Sequence, residues 1–365
     1  DRILRGRMCA RRRAAVCLFC LSAAMPLLAA PIRNVILFIG DGMGPAQIAA
    51  ARCYAGRPLV FETFPYQSQV TTFLAGGGVT DSAAAATAIS AGVKVSEGVI
   101  NLSIPGDTSE LETLLEHFAK LDKSTGLVTT SYLTDATPAG FGAHATNRYN
   151  QTQIAGAYLR QTRPNVLLGG GGGGLTAAAA AGAGYLVVTD AASLSAARGG
   201  RTSQVAGLFG YGYMPYVFDG LGPYPTLTQM TEAALELLDN DPDGFFLMVE
   251  GGRIDHACHG NSLEYCVTET LAFDEAVQRV AAWAADRSDT LLLVTADHET
   301  GGLEVLADNG PGVFPEVSWA TNWHTSVPVA LYATGVNASI ATQITDNTQI
   351  RLAACSEALM PATGF

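Results

Sequence analysis

The chain reads as an α/β protein built on a mostly parallel sheet with helices on both faces. Three observations predict this. Apolar runs of strand length recur at 32–39, 245–249 and 291–294, the first almost continuous as in a strand buried on both sides, and 126–130 reads as a further strand. Helix-patterned segments alternate with them. Acidic residues and histidines fall at or just past the carboxyl ends of these runs, where ligands bind in open α/β sheets.

The run at 32–39 stops at Gly40-Asp41-Gly42-Met43-Gly44-Pro45, a sharp turn, and a helix is expected over about 46–54. The stretch Thr80-Asp81-Ser82-Ala83-Ala84-Ala85-Ala86 follows three glycines and is rich in the best helix former. Ser82 then lies in a first helical turn. Free N–H groups and the positive dipole end ease a hydroxyl toward alkoxide there and offer donors to a phosphate. The plainer reading makes Asp81 or Ser82 an N-cap. Ser109-Glu110-Leu111-Glu112 reads as a capping box, followed by a stripe of Leu111, Leu114, Leu115 and Phe118.

The strand expected at 126–130 leads into Asp135-Ala136-Thr137-Pro138. A short strand at 166–168 precedes six glycines, 169–174, and an alanine run at 177–181. No GK[ST] follows, so a flexible surface loop is expected, not a phosphate cradle. An amphipathic helix is expected at 226–240, then a strand ending at Glu250. In Asp255-His256-Ala257-Cys258-His259, a helical turn puts Asp255 and His259 on one face. Residues 263–287 read mostly as helix, 291–294 as a strand ending at Asp297-His298, and 327–333 as a strand just after His324.

The 365 residues, 48% hydrophobic and 15% charged, exclude a disordered chain. Met8, three consecutive arginines and the apolar run from Ala14 to Ala30 read as a secretory signal peptide, with residues 1–7 an upstream extension. The run is short for a membrane anchor and is interrupted by Pro26. The expected organisation is an extension and signal at 1–30, then a single catalytic domain at 31–365, exported to the periplasm or the extracellular space without a stable membrane anchor. Removing 1–30 leaves 15 basic against 32 acidic residues, a net charge of −17. Nucleic acid is therefore not an expected partner. Of the four cysteines outside the signal (Cys53, Cys258, Cys266 and Cys355), Cys258 and Cys266 are the favoured disulfide pair because they are close in sequence.

Aspartate with histidine suits zinc, whereas carboxylates with a threonine hydroxyl suit magnesium. The chain holds six histidines, and four of them (His256, His259, His298 and His324) lie in these clusters. Six segments in order resemble the alkaline phosphatase family: Phe38-Ile39-Gly40-Asp41-Gly42-Met43-Gly44, Thr80-Asp81-Ser82-Ala83-Ala84, Asp135-Ala136-Thr137-Pro138, Val249-Glu250-Gly251-Gly252-Arg253-Ile254-Asp255-His256, Thr295-Ala296-Asp297-His298-Glu299 and His324-Thr325.

The resemblance implies a three-layer α/β/α sandwich and a broad phosphomonoesterase acting through a phosphoserine at Ser82. By the family pattern, Asp255, His259 and His324 hold one Zn²⁺. Asp41, Asp297, His298 and Ser82 hold a second. Asp41, Asp135, Thr137 and Glu250 hold Mg²⁺. Arg148 grips phosphoryl oxygens in a bidentate fork, oriented by Asp81. The charges agree: five carboxylates and an ionised Ser82 carry −6, which the three cations offset. The resemblance also implies small-molecule phosphate monoesters as substrates and a homodimer, although no interface is legible. His256 beside Asp135 is a combination on which family branches differ, so the third metal and the pH optimum stay open.

A phosphodiesterase or nucleotide pyrophosphatase on the same two-zinc scaffold is the runner-up. Such relatives usually carry a threonine nucleophile and lack the third-metal residues. A non-catalytic binding protein would lack a ligand or the nucleophile, and none is missing here. A sulfatase would need a different local motif.

Overall fold

The computed structural model describes residues 32–198 and 204–355. The signal-peptide reading at 1–30 lies outside them. Thirteen strands occur among the described residues: β1 (Asn34–Gly40), β2 (Tyr66–Val70), β3 (Ser124–Tyr132), β4 (Val166–Gly171), β5 (Leu186–Val188), β6 (Val205–Tyr211), β7 (Phe245–Gly251), β8 (Thr290–Ala296), β9 (Glu299–Thr300), β10 (Leu303–Ala307), β11 (Glu316–Trp319), β12 (His324–Thr325) and β13 (Val329–Gly335). The helices are α1 (Pro45–Ala55), α2 (Ser82–Ala91), α3 (Leu114–Ala119), α4 (Ala136–Gly142), α5 (Gln151–Ala157), α6 (Ala177–Gly182), α7 (Ala191–Ala197), α8 (Leu227–Leu238), α9 (Arg253–His259), α10 (Leu263–Ala284) and α11 (Ile350–Cys355).

Nine strands form one sheet in the order β2-β13-β8-β1-β7-β3-β4-β6-β5, flanked by helices, the three-layer arrangement expected. Within it β13 alone runs opposite to the other eight strands. Every residue of β1, β7 and β8 is buried, which explains their mostly apolar sequences. Register does the positioning. Ile39 of β1 lies beside Glu250 of β7 and Thr295 of β8, and Thr129 of β3 lies beside Glu250. Asp41, Glu250 and Asp297 therefore leave the sheet at one edge within two residues of a common level.

Three sequence expectations are corrected. Glycines 169–171 belong to buried strand β4, not to a surface loop. A Cβ on Gly169 would sit 2.6 Å from Thr129 Cγ2, and one on Gly170 would sit 1.8 Å from the Gly212 carbonyl oxygen, so glycine here permits close backbone approach. The capping box is Thr113 with Glu116, one turn later than expected. Glu116 N–H donates to Thr113 Oγ1 at 3.1 Å and Thr113 N–H to Glu116 Oε2 at 2.9 Å. Ser109 instead turns back onto Asp107, which leaves Leu111 outside the helix. Cys258 and Cys266 are neighbours, with sulfurs 3.4 Å apart, yet they are free thiols. No helix among the described residues is long and apolar enough to cross a membrane.

Glu269 on α10 is 3% exposed and accepts from Val217 N–H at 2.7 Å. Burial pushes its carboxyl up to about 7, against the opposing pull of that N–H and of Arg253. A carboxyl raised on folding is neutral in both states at low pH. It then destabilises progressively as pH climbs from its unfolded value toward about 7. Glu269→Gln should therefore be more stable than the parent at pH 8, by roughly 2 kcal/mol, with a smaller gap at pH 5. Urea-unfolding midpoints at the two pH values check this, and a pH-independent gap would contradict it.

Candidate active site

Two groups of side chains meet at this sheet edge. In the first, α9 places Asp255 and His259 one turn apart on one face, as the spacing predicts. Asp255 Oδ2 is 3.2 Å from His259 Nε2. His324, on β12, brings its Nε2 to 3.2 Å from His259 Nε2 and 3.7 Å from Asp255 Oδ1. Each Nδ1 meets a backbone carbonyl, Asn322 O at 2.7 Å for His259 and Thr80 O at 2.8 Å for His324. Nδ1–H donates there, so both Nε2 lone pairs converge beside a carboxylate, the arrangement of a metal-binding imidazole pair. Thr300 Oγ1 donates to Asp255 Oδ1 at 2.5 Å. Burial alone would raise the Asp255 pKa, but the surrounding imidazoles, His259 first, hold it well below the usual carboxylate range.

The second group is Asp41, Asp297 and His298. One ligand atom from each lies within 4.8 Å of the others, as also holds in the first group. His298 Nε2 is 3.1 Å from Asp297 Oδ2, 3.7 Å from Asp41 Oδ1 and 3.3 Å from Ser82 Oγ. Its ring stacks on His324 with centroids 3.6 Å apart, which joins the two groups. Asp41 Oδ1 and Asp297 Oδ2 are buried with no hydrogen-bond partner. Burial, then repulsion from Asp297 and Asp255, raises the Asp41 pKa well above normal. Burial also raises Asp297, to about 7, reinforced by Asp255. Burial and the neighbouring His324 hold the His298 imidazole neutral. Buried carboxylate oxygens without donors, beside neutral imidazoles, fit a divalent cation.

The third expected set is less assembled. Asp41, Asp135 and Glu250 do not form a further group within 4.8 Å. Asp135 is already engaged. It N-caps α4 through Ala136 N–H at 2.8 Å, accepts from Ser131 Oγ, and takes Arg148 Nη2 at 3.2 Å. Glu250 accepts from Thr129 Oγ1, and burial raises its pKa to about 8, with help from Asp135. Thr137 Oγ1 is buried with no hydrogen-bond partner.

Ser82 opens α2 and Asp81 caps it, as the plainer reading has it. The cap changes one expectation. Asp81 accepts from Ala83 N–H at 3.3 Å and Ala84 N–H at 3.2 Å, so these amides are not free for a phosphate. The available cation is Arg148, whose Nη1 is 3.2 Å from Asp81 Oδ2. Arg148 is thus held by two carboxylates, Asp81 as expected and Asp135 in addition. His256 sits beside the groups, with Nδ1 3.0 Å from Arg253 Nη1. A cavity of about 400 Å³ is lined by Ser82, Asp81, Arg148, Asp255, His256, His259 and His324 among others. Sequence reading missed the supporting hydroxyls Thr129, Ser131 and Thr300. The available signal was a hydroxyl residue at the end of a strand that leads to an acid.

Fold and geometry together define an α/β protein with a candidate two-metal centre around a helix-capping serine. The alkaline phosphatase family model matches residues 32–315, and the chain belongs to the alkaline phosphatase family. It is 38% identical over 297 residues to alkaline phosphatase 3 of Bacillus subtilis, covering 76% of this chain and 63% of that protein's length. It is 32% identical over 400 residues to the alkaline phosphatase of Escherichia fergusonii, covering 88% of this chain and 84% of the relative. Among solved structures, a histidine-to-aspartate mutant of the alkaline phosphatase from the Antarctic bacterium TAB5, with magnesium in its M3 site, superposes with TM-score 0.79 at 28% identity. That match covers 90% of this chain and 97% of the other.

The raised carboxyl groups predict proton release on metal binding. Zinc added to chelator-stripped protein at pH 7 should displace protons from Asp41 and Asp297. Calorimetry in two buffers of different ionisation enthalpy should give different apparent heats. Identical heats would contradict the crowded-carboxylate description.

Proposed function

We propose that this chain is a metal-dependent phosphomonoesterase that hydrolyses a broad range of phosphate monoesters through a phosphoserine at Ser82. The observation that carries the reading is Ser82 Oγ, buried at the start of α2 and 3.3 Å from His298 Nε2, in the same cavity as Arg148 and the Asp255–His259–His324 group. In this reading Asp255, His259 and His324 hold one zinc, and Asp41, Asp297, His298 and Ser82 hold the second. Asp135, Thr137 and Glu250, with Asp41, hold magnesium; a relative that binds magnesium in an M3 site supports that choice of ion. Bound zinc would supply Lewis acidity to the serine hydroxyl, the attacking water and the leaving oxygen.

The chain's own residues do the rest. Thr300 Oγ1, which donates to Asp255, can accept from His298 Nδ1–H, and this leaves His298 Nε2, beside Ser82, free to ligate. Ser82 Oγ attacks phosphorus as the ester oxygen departs opposite, and water then cleaves the phosphoserine. Arg148, held between Asp81 and Asp135, presents its remaining donors to the phosphoryl oxygens as charge builds on them. Asp81 orients both participants at once, since it caps the helix that carries Ser82 and pairs with Arg148. Its third acceptor role, to Gly98 N–H at 3.0 Å, ties the neighbouring loop to the same carboxylate. His256 acts as an outer neighbour through Arg253. We further propose that residues 31–365 act as one catalytic domain exported beyond the cytoplasm.

The test is hydrolysis of p-nitrophenyl phosphate and its bis-ester by the zinc- and magnesium-loaded protein between pH 7 and 10, beside Ser82→Ala. Monoester turnover should dominate and fall by at least about 10³-fold in the variant, a loss of the size expected when a nucleophile is removed. Faster diester turnover would move the assignment to a phosphodiesterase. Absence of both activities with metals bound would favour a binding protein.

A further inference from the structure

Three of the six exposed large aromatic side chains among the described residues line one cavity, the polar one that holds Ser82 and Arg148. They are Tyr149, 77% exposed, Tyr213, 47% exposed, and Trp323, 60% exposed. Scattered exposed aromatics need no explanation, but a ring of them around a phosphate-sized polar site does. They are also held in place. Trp323 stacks nearly parallel on His324, with centroids 5.3 Å apart and planes 14° apart, and leans on His259 at 5.3 Å. Its backbone is fixed by Gly301 N–H donating to Trp323 O at 2.8 Å. Tyr213 packs on His256 at 4.2 Å and on Tyr132 at 5.1 Å, with the Arg253 guanidinium 5.3 Å from its ring centroid. The turn carrying Tyr149 is closed by its N–H donating to Asn147 Oδ1 at 2.9 Å.

We propose that Tyr149, Tyr213 and Trp323 form a stacking rim that selects phosphate monoesters whose alcohol carries a planar aromatic group, nucleoside 5′-monophosphates above all. The inference rests on the phosphomonoesterase reading and adds a substrate class to it. With the phosphoryl group at Ser82 and Arg148, the alcohol extends along the rest of the cavity lining, to which these exposed rings belong. The rim offers π-faces with little base-specific hydrogen bonding, so it should favour nucleobases as a class over any single base. Stacking is made equally in ground and transition states, so the preference should appear in KM and much less in kcat.

The experiment compares adenosine 5′-monophosphate with ribose 5-phosphate on the metal-loaded full chain. Both release the same primary 5-oxygen, so leaving-group chemistry nearly cancels, and the esters differ at C1, where the nucleotide carries the base and ribose 5-phosphate an anomeric hydroxyl. The expected kcat/KM ratio is about tenfold in favour of the nucleotide, carried by KM. Tyr149→Ser, Tyr213→Leu and Trp323→Leu should each lower that ratio, and Trp323→Phe should restore most of it. A parent ratio near one, with both esters hydrolysed, overturns the rim and leaves the phosphomonoesterase reading standing. Variants that lose both substrates in equal proportion overturn it as well, because the rings would then serve only the structure. Failure to hydrolyse either sugar phosphate or p-nitrophenyl phosphate overturns the functional reading and this inference with it.

Discussion

Five carboxylates, Asp41, Asp135, Glu250, Asp255 and Asp297, are buried together at one edge of the sheet, and this crowding is the constraint on which the site depends. Such a cluster cannot stay fully ionised without positive charge close by. The molecule deals with it unevenly. Asp255 is surrounded by imidazoles and a threonine hydroxyl and stays ionised. Asp135 is held by Arg148. Asp41, Asp297 and Glu250 have too little local compensation, and their pKa values rise. The groups with unspent acceptor capacity are the ones that face a prospective cation.

The fold supplies this crowding through register. Three central strands, each buried along its whole length, hold their last residues level, so the segments just beyond them have to converge. Apolar burial of the strands compensates for the unfavourable charge at their ends, since fully burying a Val, Leu, Ile or Phe side chain contributes roughly 1.5–3 kcal/mol. The same geometry delivers α2 and α9. The first brings a serine with its cap, and the second brings an acid and an imidazole one turn apart.

Much of this was legible in the sequence because it is local. Mostly apolar runs marked the buried strands, and the four-residue spacing of Asp255 and His259 marked a shared helical face. The residues of the two Asp–His groups were legible through their motifs, at strand ends for Asp41, Asp297 and His298 and on a helix for Asp255 and His259. What escaped depended on contacts between distant segments. Nothing near Gly170 announces that the Gly212 carbonyl lies where its Cβ would be. Two consecutive frames could serve as the capping box, and the burial of Leu114, Leu115 and Phe118 goes with the later one. The Asp135–Arg148 pair joins a helix cap to a loop, and the donors at the start of α2 turned out to be consumed by Asp81. Neither has a sequence signature beyond the residue types.

The central claim is that Ser82 carries the phosphoryl group. The direct measurement is acid-quenched trapping of the metal-loaded protein during turnover of a ³²P-labelled monoester, followed by peptide mapping. The account predicts label on Ser82, absent in Ser82→Ala. Turnover with no trapped label across the quench times, or label on a different residue such as His298, would contradict it.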